Sequence, residues 1–397
     1  MTRIALVVNN YPTELRPHGG MQFYRQAKAL ASLADLTVYV MSPEYPRSRL
    51  LQPRRFNHRG GDKPVNTPNA RVEQVFYPAV PLVTRLWNGR QCGRQLLARF
   101  RESCPDVVLS YQLYPEAYGA VQAARALGIP SVVGAIGSDI RCSGRLLRPL
   151  VKEAMHNASF VVTVCDEMTN RAVQMGISPF KAKTILNGCD PAIFYHRDRA
   201  AARQSLGIAQ HAKLVLFTGN LVHVKGIPEL IRAIALLGKS AETVEAALIG
   251  NGPLAPQLRA LCDRLGIADR IRFLGSKPPS EVSLWLGAAD LFCLPSYSEG
   301  SPNAMVEALC SGRPVVASNV GGIPELITRE SGILVPPANP EALASALRDA
   351  LGRSWDELAI ARIYRRTWDD MARETLDVCR RVLSPSDLAA EPVVAGR

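Results

Sequence analysis

Leu291-Phe-Cys-Leu-Pro-Ser-Tyr-Ser-Glu299-Gly300-Ser301-Pro302-Asn303-Ala-Met-Val-Glu307-Ala-Leu-Cys-Ser-Gly312 decides how the rest of the chain is read. A strand ends near Leu294, a loop carries Glu299 and Gly300, and Ser301 as N-cap with Pro302 at the first helical position predicts a helix that Gly312 ends. The first turn of such a helix offers backbone N–H groups and the positive end of the dipole, which suits a phosphate. Glu307 falls in its second turn within Ala-Met-Val-Glu-Ala-Leu-Cys, so its carboxylate is expected to be buried and to need donors. Adjacent hydroxyls of a ribose would supply two; a backbone amide or an Arg would serve as well.

Upstream, Leu214-Val-Leu-Phe-Thr-Gly219-Asn220-Leu-Val-His-Val-Lys225-Gly226-Ile-Pro228 repeats the order strand, turn, helix. Lys225 stands just ahead of the helix, a place unfavourable to a cation unless an anion sits between them. That points to a diphosphate. No Walker A loop is present and no strong G-x-G-x-x-G follows the first strand, so ATP hydrolysis and NAD binding lose ground.

The same rhythm runs through the chain. Ile4–Val8, Leu36–Val40, Val107–Leu109, Ser131–Val133 and Phe160–Val164 read as strands, with helical spacing at Gln22–Ala34 and Glu116–Leu127. A second series follows at Leu214–Thr218, Ala246–Ile249, Ile271–Phe273, Leu291–Leu294 and Pro314–Ala317. Continuous apolar runs mark strands buried on both faces, hence parallel sheets covered by helices. Two doubly wound α/β units are expected, meeting near Asn187–Asp198 and facing a central cleft.

Length and composition agree. At ~150 residues per domain, 397 residues give two to three domains. A hydrophobic share of 47% with 21% charged residues excludes disorder, collagen and coiled coil as the main architecture. The formal charge is +12, and it is uneven: residues 1–195 carry 24 Lys and Arg against 13 Asp and Glu, residues 196–397 carry 23 against 22. The basic half is therefore the one to face nucleic acid, anionic lipid or a phosphorylated substrate. Nine scattered cysteines without a C-x-x-C pair fit a reduced cytoplasm, and buried thiols at Cys165, Cys293 and Cys310 pack as small hydrophobes. The apolar run at the N-terminus is too short for a signal peptide, and no stretch reaches the length of a membrane span, which leaves peripheral contact. Residues 47–70 read as a mobile basic loop (Arg47, Arg49, Arg54, Arg55, Arg59, Lys63). At ~100° per residue, residues 82–101 place Leu82, Leu86, Leu97 and Phe100 on one face with Arg90, Arg94 and Arg101 beside it, suited equally to an anionic membrane and to a sheet.

The E-x7-E pattern from Glu299 to Glu307, followed by Gly312-Arg-Pro-Val-Val-Ala-Ser and Asn319-Val-Gly321-Gly322-Ile-Pro-Glu325, resembles the retaining glycosyltransferases of family 4, which have the GT-B fold. The likeness is strong over residues 214–337. Pro17-His-Gly19-Gly20 resembles the family's glycine loop beside the donor diphosphate and acceptor, Ile185-Leu-Asn-Gly188-Cys-Asp190 its linker, and Tyr364–Leu383 its last helix. The resemblance implies an acceptor-binding domain over 1–193, a nucleotide-sugar domain over 194–362, a helix crossing back over 363–383 and a flexible tail over 384–397.

It also implies roles. Lys225 neutralises the diphosphate, Glu307 holds the ribose, and Glu299 bonds the hydroxyls of the transferred sugar. Gly219 and Asn220 line the donor beside Lys225. Gly300, Ser301, Pro302, Asn303 and Ala304 form the phosphate or sugar grip, through the amides near Ser301–Ala304. Arg272-Phe-Leu-Gly275-Ser-Lys277 faces the base. Asn220 stands where the family often has Arg, and Ile136 replaces the His or Arg expected before Gly137-Ser138-Asp139; Asp139 itself is an acceptor or sugar contact, or a helix cap. His18 is an acceptor-side base or an exposed turn residue. The implied reaction is transfer of a sugar from a UDP-sugar, with a GDP-sugar second, to a lipid-linked or polysaccharide acceptor, with no cofactor and no metal. The competing readings are a nucleotide-sugar epimerase of the same fold and a non-enzymatic binder of anionic polymers. Nucleic acid is disfavoured because aromatic residues are only 6% and no binding module is present.

Overall fold

The computed structural model describes residues 1–17, 19–46, 62–80, 83–137, 140, 144, 146–238 and 244–384. The chain divides into two compact units, Met1–Leu186 with Trp368–Arg397, and Asn187–Thr367.

Unit 1 holds a seven-stranded sheet of order β3-β2-β1-β4-β5-β6-β7. Its strands are β1 (Arg3–Val8), β2 (Asp35–Glu44), β3 (Ala70–Pro78), β4 (Val107–Tyr111), β5 (Ser131–Ala135), β6 (Phe160–Thr163) and β7 (Ala182–Thr184). Every pairing is parallel, Ile4 lying opposite Leu36 on one side and Val107 on the other. Alternate side chains of a strand serve opposite faces. Ile4, Leu6 and Val8 pack with α1 (Met21–Ala31) and α13 (Trp368–Leu383) through Phe23, Leu30, Met371 and Leu376. Ala5 and Val7 pack with α2 (Asn88–Ser103) and α3 (Tyr118–Ala126) through Cys92, Leu96, Phe100 and Ala120. The far end of the sheet is covered by α4 (Arg148–Asn157) and α5 (Asp166–Gln174).

Unit 2 holds a six-stranded sheet of order β10-β9-β8-β11-β12-β13, again parallel throughout. Its strands are β8 (Lys213–Thr218), β9 (Val244–Ile249), β10 (Ile271–Gly275), β11 (Leu291–Leu294), β12 (Val315–Ser318) and β13 (Gly332–Val335). The helices are α6 (Arg199–Leu206), α7 (Ile227–Leu236), α8 (Ala255–Leu265), α9 (Pro279–Ala288), α10 (Asn303–Cys310), α11 (Pro340–Gly352) and α12 (Glu357–Ile363). At the amino ends of β11 and β12, Arg313 is fully buried and bonds Glu357, which Arg199 also holds, while Arg199 and Arg203 reach Asp290 at 2.9 and 2.7 Å. This network fastens α6 and α12 to the sheet.

Three expectations need correction. The units divide at 186/187 and 367/368, whereas the sequence reading places 193/194 and 362/363. Residues 187–193 go with unit 2 because the Cys189 amide bonds the Arg366 carbonyl at 2.9 Å and the Tyr364 hydroxyl donates to the Asn187 carbonyl at 2.5 Å. The loop expected over 47–70 is pinned at its far end: Asp62 accepts from Thr13 Oγ1 at 2.8 Å and from the Leu15 amide at 3.2 Å. Its basic residues 47–59 lie outside the described residues, as do His18, Leu82, Asp139 and the tail beyond 384. Of the face expected through Leu82, Leu86, Leu97 and Phe100, only Leu97 and Phe100 lie on α2, which begins at Asn88, while Leu86 sits exposed on the turn before it. The side of α2 that is buried carries Gly89, Cys92, Gly93, Leu96 and Phe100. There a Cβ on Gly119 of α3 would come within 2.6 Å of the Gly89 carbonyl oxygen, so glycine lets the two helix backbones touch.

Candidate active site

In unit 2 the strand order reverses between β8 and β11, and ligands of open α/β sheets bind beyond the carboxyl ends at such a point. The two loops that leave these strands carry both sequence-predicted catalytic residues. They interlock through the backbone: the Tyr297 amide bonds the Val224 carbonyl at 2.8 Å, and Gly226 caps α7 at φ 60°. A Cβ on Gly226 would sit 1.9 Å from the Pro295 carbonyl oxygen, so only glycine allows this approach. Side chains add a second clamp, the Tyr297 hydroxyl donating to Glu229 Oε1 at 2.8 Å while Arg232 holds Oε2 at 2.9 Å.

The result is an ion pair across the two loops. Lys225 Nζ lies 2.6 Å from Glu299 Oε1, with side-chain exposures of 23% and 10%. Ser296 Oγ, fully buried, donates to the same oxygen at 2.6 Å. The anion that the position of Lys225 demands is thus supplied in part by the chain itself. Gly219 and Asn220 lie on the β8 loop, Gly219 with its amide on the Ile249 carbonyl at 2.9 Å and Asn220 exposed.

The start of α10 differs from expectation. The helix begins at Asn303 with Pro302 as N-cap at φ −75° and ψ 109°, and Ser301 does not cap it. The Ser301 carbonyl is held by Asn187 Nδ2 at 3.3 Å, the same nitrogen meeting Asn303 Oδ1 at 2.8 Å, so the first intrahelical bonds fall to the Pro302 carbonyl, from the amides of Met305 at 3.0 Å and Val306 at 3.2 Å. Ser301 Oγ is buried with no hydrogen-bond partner. Gly300 is buried, and Ala304 follows Asn303 in the first turn. Glu307 is half-buried, because only the opposite side of α10, with Met305, Val306, Ala308 and Leu309, turns into the core.

Lys277 follows the edge strand β10 and pairs with Glu281 at 2.9 Å, two strands from Lys225 in the sheet order. Gly19 and Gly20 lie in unit 1, where Gly20 stands at the N-terminus of α1 with φ 67°. Among the described residues no group of three or more His, Cys, Asp or Glu is placed to hold a metal ion.

Sequence reading missed Ser296, Tyr297, Glu229 and Asn187 at this site. Ser296 and Tyr297 stood inside the quoted stretch, yet nothing in their spacing says which carboxylate each meets. Unit 1 has a related arrangement that it also missed. Its strand order reverses between β1 and β4, and there Glu116, 2% exposed, bonds the Asn9 side chain and keeps Oε2 without a partner. Burial pushes this carboxyl up to about 7.

Two parallel-sheet α/β units with the site at a strand-order reversal define the GT-B class, and solved structures share that fold. Sucrose-phosphate synthase from Thermosynechococcus elongatus matches with TM-score 0.77 and 19% identity over 97% of this chain and 100% of that one. Anabaena HepE in complex with UDP and glucose matches with TM-score 0.68 and 19% identity over 95% and 99%. Residues 19–188 match the family described as glycosyl transferase 4-like domain, and residues 198–367 match glycosyl transferases group 1. The chain belongs to the family 4 type of GT-B glycosyltransferases. Among curated relatives, TuaC of Bacillus subtilis, a glycosyltransferase assigned to teichuronic acid biosynthesis, is 28% identical over 87% of this chain and 88% of its own. The D-inositol 3-phosphate glycosyltransferase 2 of Catenulispora acidiphila is 33% identical over 64% and 63%.

Proposed function

We propose that this glycosyltransferase moves a sugar, with retention of configuration, from a UDP-sugar, or second a GDP-sugar, to a hydroxyl of a lipid-linked or polysaccharide acceptor in surface glycan biosynthesis. The Lys225–Glu299 pair at the strand-order reversal of unit 2, beside the start of α10, carries the reading. Departure of the sugar builds positive charge on its anomeric carbon and negative charge on the leaving phosphate. Lys225 and the amides at the start of α10 stabilise the latter, with the buried, unpartnered hydroxyl of Ser301 as a further donor. Glu299 positions the sugar through its hydroxyls, and a diphosphate oxygen takes the acceptor proton. Glu307 holds the ribose, and the segment Arg272–Lys277 faces the base. Gly19 and Gly20 line the acceptor side, as does Asp139, which lies outside the described residues. HepE in complex with UDP and relatives named for teichuronic acid and inositol phosphate transfer support the donor and acceptor classes. The enzyme works in the cytoplasm, with the turn before α2 touching an anionic membrane.

A hydrolysis screen of UDP- and GDP-sugars tests this, paired with calorimetry. One donor series is expected to release its nucleoside diphosphate slowly, and the same base to bind. If DNA binds and neither UDP nor GDP does, the protein is an anionic-polymer binder.

A further inference from the structure

The two residues assigned to the donor are bonded to each other, and this has a chemical consequence. Lys225 Nζ and Ser296 Oγ both reach Glu299 Oε1 at 2.6 Å, in a place where the carboxylate is only 10% exposed. A diphosphate approaching Lys225 meets a lysine that is already neutralised, and the bound phosphate then lies beside the carboxylate. Partly buried like charges are weakly screened, so the three-way arrangement of cation, carboxylate and diphosphate is costly as long as Glu299 has no donor beyond Ser296 to turn to. A nucleotide sugar brings such donors in the hydroxyls of the sugar to be transferred; the nucleoside diphosphate left after transfer has lost them, and its ribose is assigned to Glu307.

We infer that Glu299 competes with the diphosphate for Lys225 and thereby sets the preference for nucleotide sugar over spent nucleoside diphosphate, favouring product release once the sugar has gone. The inference rests on the donor-site reading given above. It makes the first glutamate of the pair a specificity determinant for the ligand's sugar as well as a sugar contact, and it gives Ser296 a defined part. By donating to Oε1, Ser296 holds the carboxylate on the lysine side.

Calorimetric titration of UDP and GDP into the full-length protein and its variants decides the matter. Glu299→Gln keeps the shape and an acceptor oxygen for Lys225 and Ser296 but removes the charge. It is expected to bind the preferred nucleoside diphosphate about tenfold more tightly than the wild type, while sugar transfer is lost. In Lys225→Gln the affinity falls, and in the double variant the gain from Glu299→Gln disappears, because the two effects pass through one contact. Ser296→Ala, which leaves both charges in place, gives a smaller gain of the same sign. Unchanged or weaker binding in Glu299→Gln, with Lys225→Gln still weakened, overturns the competition and leaves the donor site standing. Unchanged affinity for both nucleotides in Lys225→Gln overturns the donor site and the competition together. Circular dichroism of each variant, matching the wild type, ensures that affinity and not folding is read.

Discussion

Glu116 shows what one residue contributes when it is buried without a cation. The groups that feel its charge are Tyr77 of β3, Cys92 of α2 and Tyr114 in the turn after β4, all neutral at physiological pH, and the Asn9 side chain is its hydrogen-bond partner. Its folded value of about 7 stands above the ordinary 4.5, so between these values the native state holds a proton that the unfolded chain has released. The protonated form therefore contributes stability that is fully present below about pH 4.5 and is lost as pH rises through about 7. Glu116→Gln should flatten this part of the curve by up to about 3 kcal/mol between pH 5 and pH 8 in urea unfolding. An identical pH dependence in variant and wild type would show that the carboxyl is already ionised at pH 5. Sequence alone singled out Glu299 and Lys225, the one through the E-x7-E resemblance and the other from an uncompensated dipole. That they bond each other across 74 residues was not legible, and neither was the contact of Asn187 with Asn303 across 116. Local pattern names a residue's chemistry; its partner comes from the sheet order.

At the scale of elements, the loops after β8 and β11 form one structural unit. Gly226→Ala forces a Cβ against the Pro295 carbonyl in a left-handed backbone, at a cost of about 2–4 kcal/mol. The same change moves Lys225, its neighbour, and should weaken nucleoside diphosphate binding at least ~10-fold in calorimetry. Wild-type affinity in a folded Gly226→Ala would show that the interlock does not place the lysine. All ten strands read from the sequence are present, and the three that were not read, β3, β7 and β13, lie at sheet edges. An edge strand has a solvated side and so mixes polar with apolar residues, as in Arg71-Val-Glu-Gln-Val of β3. The continuous apolar run that marks a central parallel strand is absent from β3 and from Ala-Lys-Thr of β7; Gly-Ile-Leu-Val of β13 does carry one and went unread. The start of α10 was misread by one residue for a similar reason, since the Ser301 carbonyl is taken by a side chain from a distant linker.

For the whole molecule, charge and surface together give the membrane prediction. Val83, Leu86 and Trp87 are exposed on the turn before α2, and Arg85, Arg90 and Arg94 are exposed on and beside them. No helix among the described residues is long and apolar enough to cross a bilayer. Each basic residue near anionic lipid contributes about 1 kcal/mol. Sedimentation with phosphatidylglycerol vesicles should therefore carry down the wild type, and the variant with Trp87→Ser, Arg90→Glu and Arg94→Glu should remain in the supernatant. Equal recovery of wild type with anionic and neutral vesicles would remove the membrane contact. By itself the sequence determined two doubly wound units, a basic first half and a lysine and a glutamate placed ahead of helices, because burial on both faces of a sheet and the needs of a helix terminus are written in consecutive residues. The tertiary structure alone decided where the units divide, how α10 begins, and that Lys225 already owns a counter-charge. Those depend on which loops the strand order makes neighbours, and a parallel sheet makes neighbours of segments far apart in the chain.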